Sequence, residues 1–174
     1  ETWAINSMGG VIQHDRLIYR DALPYFAKAA REENKALAGY RDWLAKHPGP
    51  IYTQRKYDGF PGSVEYPLAD VLNDVGYPYF NNTVAYAVGL ALLMKVRHLK
   101  IYGCDYTAGQ HADGQTGRAC LEYWLAVCVQ RGMRVSIANS SSLCDQKSGR
   151  VLYGYSKPPI IRQNAAGRFQ VSIP

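Results

Sequence analysis

Residues 82–138 alternate between long apolar segments of helical type and short apolar segments of strand type, and this alternation constrains the fold most strongly. The segment 83–96 is almost wholly apolar and rich in Ala and Gly, and the strand-like HLKIYG (98–103) follows it. A second helical segment, 118–132, leads into the strand-like RVSIA (134–138). Such alternation is typical of a parallel sheet covered on both faces. We therefore predict an α/β, three-layer Rossmann-like domain with a mostly parallel central sheet.

The flanking regions fit the same architecture. Further strands are predicted at 2–6, 16–19 and 50–54, a loop at 55–66, and helices at 24–47 and 67–75. The apolar stripe of the first of these helices ends at the tetrapeptide HPGP. We assign residues 1–150 to the Rossmann-like domain and 151–174 to a C-terminal arm or short hairpin of that domain.

The composition is that of a globular chain with a basic surface. Its 174 residues are 47% apolar, enough for one domain with a core. The longest apolar run, 84–94, is too short to span a bilayer, so we expect no membrane partner. The net charge of +6 permits DNA or an acidic glycan as partner. Because the basic residues are scattered, a solvated basic surface explains the charge equally well.

The cysteines indicate a reducing compartment. Cys104, Cys120, Cys128 and Cys144 form no CxxC pair, so a zinc site is not expected. We interpret them as reduced, mostly core residues of a cytoplasmic protein. The aromatic residues at 77–80 and in the C-terminal tail are compatible with self-association, and core packing explains them equally well.

Polar side chains follow the predicted strands at their carboxyl ends, where open parallel sheets bind ligands. They are Asn6 and Ser7 after the first strand, Asp105, Tyr106, Thr107 and His111 after the strand 98–103, and Asn139 and Ser140 after the last. We expect these side chains to line a ligand crevice, with Asp105 and His111 as candidate catalytic residues.

The helix predicted at 83–96 should begin at the same edge of the sheet. Asn81, Asn82 and Thr83 provide amide and hydroxyl groups there, beside unpaired backbone N–H groups. A helix dipole places roughly +0.5 charge at this end, which suits a phosphate. Simpler interpretations stay open, since Asn82 fits a helix cap, Asp105 a turn and His111 a solvated loop.

Strong catalytic signatures are absent. The sequence contains no GxxxxGK[ST], GxGxxG, GxSxG or HExxH motif. We therefore expect a ligand site because polar residues converge on one edge of the sheet, and not because of any single motif.

The segment YFNNTVAYAVGLALLMKVRHLKIYGCDYT (79–107) resembles a block shared by three groups of proteins. Bacterial sialyltransferases that use a CMP-sugar donor have a helix opened by a Thr-Ser-Gly turn, a strand ending in Gly-Ile-Asp and a following His. The 6-hydroxymethylpterin diphosphokinase-like family has a Gly-Gln-Asp strand end and a His-Ala-x-Gly stretch, as at 111–114. Uncharacterised phage and prophage proteins share a Trp-x-x-Asn start and a Tyr-Gly-x-Asp strand end. The resemblance spans about 2–143 and is dense at 78–143.

The resemblance implies a nucleotide or nucleotide-sugar ligand and a phage- or prophage-encoded protein of the bacterial cytoplasm. Asn6 and Ser7 would contact the base or ribose, and Asn81, Asn82 and Thr83 the phosphate. Asp105 would organise the loop, Tyr106 and Thr107 would line it, and His111 would be the general base. Asn139 and Ser140 match an Asn-Ser pair of the sialyltransferases.

The sequence departs from these families in two places. Both characterised families begin with a strand and a Gly-x-Gly-Pro-Ser-like phosphate loop, and this sequence starts after that point. Either that first strand lies outside this sequence, or the phosphate site is incomplete. The sialyltransferase Thr-Ser-Gly turn is replaced by Asn81-Asn82-Thr83.

Three functions follow as hypotheses. The first is a glycosyltransferase-like enzyme that moves a group from a nucleotide-activated donor to a hydroxyl acceptor. The second is a pterin pyrophosphokinase-like enzyme, which needs ATP and a divalent metal, although Asp105 and Asp113 are the only nearby carboxylates. The third is a nucleotide-binding phage module without catalysis.

Overall fold

A computed structural model of the chain describes residues 1–21, 35–106, 112–148, 152, 154, 159–166 and 168–173. The strands in this part are β1 (Trp3–Ile5), β2 (Arg16–Ile18), β3 (Ile51–Thr53), β4 (Ser63–Glu65), β5 (His98–Ile101), β6 (Arg134–Ile137), β7 (Ile160–Gln163) and β8 (Phe169–Ser172). The α-helices are α1 (Lys35–Lys46), α2 (Leu68–Val75), α3 (Thr83–Leu93) and α4 (Ala112–Gln130). Short 3-10 helices cover Asn6–Gly10 and Leu143–Ser148.

Strands β1 to β6 form two parallel sheets, and the predicted α/β class is confirmed at this level. β1, β2, β3 and β4 pair in that order, and all three pairings are parallel. β5 and β6 form a second, two-stranded parallel sheet. β7 and β8 form an antiparallel pair whose residues are all exposed.

The main core lies between α3, α4 and β5. Helix α3 is apolar on nearly every side, and its residues 87–92 are all buried. The indole of Trp124 in α4 has no exposed surface and stacks on Phe80, with ring centroids 4.6 Å apart. Small residues let α3 pack closely, since a Cβ at Gly89 would lie 2.8 Å from the Phe80 ring. Trp3 of β1 packs against this same core, which therefore reaches the four-stranded sheet.

Two elements differ from the sequence prediction. The region 55–66, predicted as a loop, contains β4, because Ser63 bonds the Tyr57 amide at 2.9 Å and the strand pairs with β3. Helix α4 begins at Ala112 instead of 118, which shortens the predicted loop at 104–117. Gly114 and Gly117 disfavour a helix locally, but close packing against the Tyr106 ring requires a residue without a side chain at Gly117.

Other predicted boundaries move by a few residues. Helix α1 covers only the second half of the predicted helix 24–47, because residues 22–34 lie outside the described part. Helix α3 ends at Leu93 instead of 96, and helix α2 begins at Leu68 and ends at Val75. Within the described residues no helix has both the length and the apolar character needed to cross a bilayer.

Candidate functional site

The first turns of α3 lie at the carboxyl ends of the four-stranded sheet. Tyr66 follows β4 and donates a hydrogen bond to the carbonyl of Tyr86 at 2.8 Å. Arg20 follows β2 and places its guanidinium 4.3 Å from the centre of the Tyr86 ring. Tyr86 lies one turn inside α3, because its amide bonds the carbonyl of Asn82. The predicted meeting of this helix start with the strand ends is therefore present. We call this edge of the molecule the carboxyl rim.

Asn82 joins the starts of α3 and α4. Its side-chain oxygen accepts the Ala85 amide at 2.9 Å, which is an N-cap bond. Its side-chain nitrogen donates to the carbonyl of Gly117 and to the side-chain oxygen of Asn81, both at 3.0 Å. Asn81 in turn donates to the Thr116 carbonyl at 3.1 Å. The Asn82 amide group is thus engaged within the protein.

Backbone donors at the start of α3 are not used within the described part of the chain. The amides of Thr83 and Val84 have no hydrogen-bond partner among the described residues. The first amides of a helix lack intrahelical acceptors, and the dipole adds positive potential there. An anion at this position would be bound by backbone N–H groups, with the Thr83 side chain half-buried beside them.

The loops after β5 and β6 are held together. The Ser142 hydroxyl accepts the Tyr106 amide at 3.2 Å, and Ser141 donates to the Cys104 carbonyl at 2.7 Å. Burial raises the pKa of the Tyr106 phenol to about 12, so Tyr106 stays neutral at physiological pH. Tyr106 therefore packs the loop and is not a base there, whereas the neighbouring Asp105 is exposed.

The remaining predicted residues fall into three groups. Asn139 and Ser140 are exposed in the turn after β6, beside the bonds that join the two loops. Asn6 and Ser7 follow β1 at the rim. Thr107 and His111 lie outside the described residues, so the structure places neither of them.

Asn6 shows two signs of local strain. Its backbone is left-handed, with φ of 49°, a conformation uncommon for residues other than glycine. Its side-chain oxygen is buried and has no hydrogen-bond partner among the described residues. A buried unpaired amide oxygen is costly, and such strain concentrates at functional sites. Asn6 is therefore the predicted contact residue with the most unusual environment.

Sequence analysis missed Arg20. Its guanidinium lies against the rings of Tyr66 and Tyr86, at 4.9 and 4.3 Å from their centres. One terminal nitrogen donates to the Thr53 carbonyl at 2.7 Å, and the buried Nε has no partner among the described residues. The sequence signal was available, since Arg20 directly follows the strand-like RLIY, but a lone arginine after a strand is not distinctive.

The described thiols and acids give little support to covalent or metal chemistry. Burial raises the pKa of Cys104, and raises that of Cys128 to about 11, so both are protonated thiols at neutral pH. All four cysteines are free. In the part of the chain that the structure describes, no three His, Cys, Asp or Glu side chains are grouped to hold a metal ion.

The fold is α/β, and polar residues that include Arg20 lie at the carboxyl ends of its four-stranded parallel sheet. No protein-family model, curated protein or solved structure matches the chain.

Proposed function

We propose that this chain is a three-layer Rossmann-like protein that binds the phosphate of a nucleotide at the start of α3. We further propose a glycosyltransferase-like reaction, in which a group passes from a nucleotide-activated donor to a hydroxyl acceptor. The chain would act in the cytoplasm of a bacterial host, encoded by a phage or prophage, with DNA or a glycan as the acceptor.

One observation carries the phosphate site. The guanidinium of Arg20 contacts the ring of Tyr86, which follows Thr83 by one turn of α3, and the amides of Thr83 and Val84 have no partner among the described residues. A fixed cation and a helix N-terminus at one edge both favour an anion. Because Arg20 is held by two aromatic rings and the Thr53 carbonyl, little side-chain entropy would be lost on binding.

The reaction assigns roles to the residues around this phosphate. Asn6 would contact the base or ribose, because its buried amide oxygen lacks a partner. His111 would take the proton from the acceptor hydroxyl, since histidine titrates near neutral pH. The amides of Thr83 and Val84 would stabilise the negative charge on the leaving phosphate. Asp105, Asn139 and Ser140 would line the acceptor side of the crevice.

A nucleotide-binding module without catalysis is the second candidate. It is favoured because two groups predicted to contact a ligand are engaged within the protein. The Asn82 side-chain nitrogen donates to the Gly117 carbonyl, and the half-buried Tyr106 phenol packs in the loop. Both stabilise the junction between α3 and the loops, which a binding scaffold needs as much as an enzyme does.

The test measures nucleotide binding at the rim. Melting temperatures of the full chain and of Arg20→Met are recorded with CMP, UDP, GDP and ATP, each with and without magnesium. A ligand at a hundred times its Kd stabilises the folded state by about 2.7 kcal/mol, or roughly 5–10 °C for a chain of this size. We expect such a shift with one nucleotide, and at least tenfold weaker affinity in Arg20→Met.

Arg16→Met is the matched control. Arg16 lies at the opposite end of the same strand, where it contacts Glu1, Tyr52 and Trp3. If both variants lose the shift equally, or if no nucleotide produces one, the phosphate site is refuted. Transfer activity that disappears in His111→Ala while nucleotide affinity is kept favours the enzyme, and tight binding without turnover favours the module.

A further inference from the structure

Two strand edges line one cavity of the described residues from opposite sides. β1 pairs only with β2, and β5 pairs only with β6, so each strand has a free edge within the described part. The cavity between them has a volume of about 700 Å³. It is lined by residues 1–3 and Ile5 along the first edge and by residues 98–102 along the second.

Helix α3 forms the floor of this cavity. Val84, Ala87, Val88 and Ala91 line it from one side, and their i, i+3, i+4, i+7 spacing places them on one face of the helix. The floor is therefore apolar and continuous from the first edge to the second. The polar lining residues Glu1, Thr2, His98 and Lys100 belong to the two edge segments.

The two edge strands run in the same direction. The first turns of α3 lie at the carboxyl ends of β2 and β4, where Arg20 and Tyr66 contact Tyr86. Helix α3 therefore runs back toward the amino ends of that sheet. β5 follows it after a four-residue connection and packs on the same core, so it points the same way as β1.

The size of the cavity matches one strand. Strands in a sheet are about 4.8 Å apart, rise about 3.3 Å per residue and lie about 10 Å from the next layer, so four or five strand residues fill roughly 700 Å³. The facing edges present backbone N–H and C=O groups on both sides. Only another peptide backbone can pair with both rows at once.

We propose that the cavity is a strand-binding site, which takes an extended apolar peptide segment from outside these 174 residues as a parallel strand between β1 and β5. The bound segment would join the two sheets into one continuous parallel sheet. Because strands buried on both faces are apolar at nearly every position, the segment should be rich in Val, Ile and Leu. This inference is independent of the proposed nucleotide site.

The test selects and then dissects a peptide ligand. The full chain is panned with a display library of random seven-residue peptides, and the best peptide is remade synthetically for affinity measurement. We expect enrichment of β-branched apolar sequences. Single N-methylation of a central peptide amide should weaken binding at least tenfold, because it removes a backbone donor and leaves the side chains unchanged.

Variants of the floor locate the site. Ala87→Trp fills the cavity and should abolish binding, whereas Ala126→Trp makes the same change on the exposed face of α4 and should not affect it. If circular dichroism shows that Ala87→Trp is misfolded, Val84→Trp replaces it.

Four outcomes would overturn the proposal. They are the absence of any enriched peptide, unchanged binding by Ala87→Trp, unchanged affinity of the N-methylated peptide, and occupation of the cavity by a second copy of this chain. The last would be seen as a dimer of the full chain that Ala87→Trp dissociates. Unchanged affinity after N-methylation would indicate an apolar pocket that binds side chains only.

Discussion

Replacing Asn82 with alanine removes three hydrogen bonds at once, and their separate contributions can be estimated. Losing the N-cap bond to the Ala85 amide costs about 1 kcal/mol. The two bonds donated to Gly117 and Asn81 are worth about 0.5–1.5 kcal/mol each. Because Asn82 is half-buried, hydrogen bonds to water replace part of what the two donated bonds contribute. We expect a total loss near 2 kcal/mol, or a melting temperature lower by about 4–8 °C.

A second substitution separates the cap from the link between the helices. Asn82→Ser keeps an oxygen that can accept the Ala85 amide but removes the side-chain nitrogen that donates to Gly117 and Asn81. We expect it to lose about half as much stability as Asn82→Ala, roughly 1 kcal/mol. Asn139→Ala, in an exposed turn, should stay within about 0.5 kcal/mol of the parent.

Chemical denaturation with urea measures these free energies, provided that the slope with denaturant is unchanged. Equal losses in Asn82→Ser and Asn82→Ala would show that the cap bond contributes nothing. A loss below 0.5 kcal/mol in Asn82→Ala would refute the stabilising role of the whole junction. The second result, a small loss, would return Asn82 to the ligand-facing role expected from the sequence.

Two further perturbations test the packing. Lowering the pH from 7.5 to 5 should destabilise the chain, because burial and His14 lower the pKa of His47 below its ordinary 6.5. The stability that comes from neutral His47 is present above pH 6.5 and is lost as the pH falls through the pKa of His47 in the folded state. The melting temperature of His47→Gln should therefore change less than that of the parent over this pH range. Gly39→Ala should stabilise α1 by about 0.5–1 kcal/mol, since its Cβ meets nothing within 4 Å. Gly89→Ala, whose Cβ would lie 2.8 Å from Phe80, should fail to stabilise in the same urea assay.

Local signals predicted the second half of the fold well. Helices α3 and α4 and strands β5 and β6 come from segments whose apolar residues decide their structure without reference to distant partners. Asn82 marked the start of α3 correctly, and its cap bond is present.

The missed elements depend on distant contacts. Strand β4 has three residues, of which only Ser63 is buried, and β3 alone makes it a strand. The first turns of α4 contain Gly114 and Gly117, which lower helix propensity, but Gly117 packs against Tyr106 and Asn82. Short strands and glycine-rich helix starts of this kind carry no periodic signal of their own.

The candidate site shows the same division. Polar residues after strands were visible in the sequence, so the rim itself could be predicted. Their roles were not visible, because they depend on which neighbour each side chain bonds. The Asn82 side-chain nitrogen donates to the Gly117 carbonyl, and the Ser142 hydroxyl accepts the Tyr106 amide. Arg20 is positioned by contacts with the rings of Tyr66 and Tyr86, which are far away in sequence.

The rim and the strand-binding cavity meet at one point. A parallel strand inserted between β1 and β5 would end at the same edge as its neighbours, between Asn6 and Asp105. Whatever followed that strand would leave the sheet beside the start of α3, where the Thr83 and Val84 amides lack partners among the described residues. Ligands of open parallel sheets bind at such strand ends. The rim therefore gains one more wall when the cavity is filled.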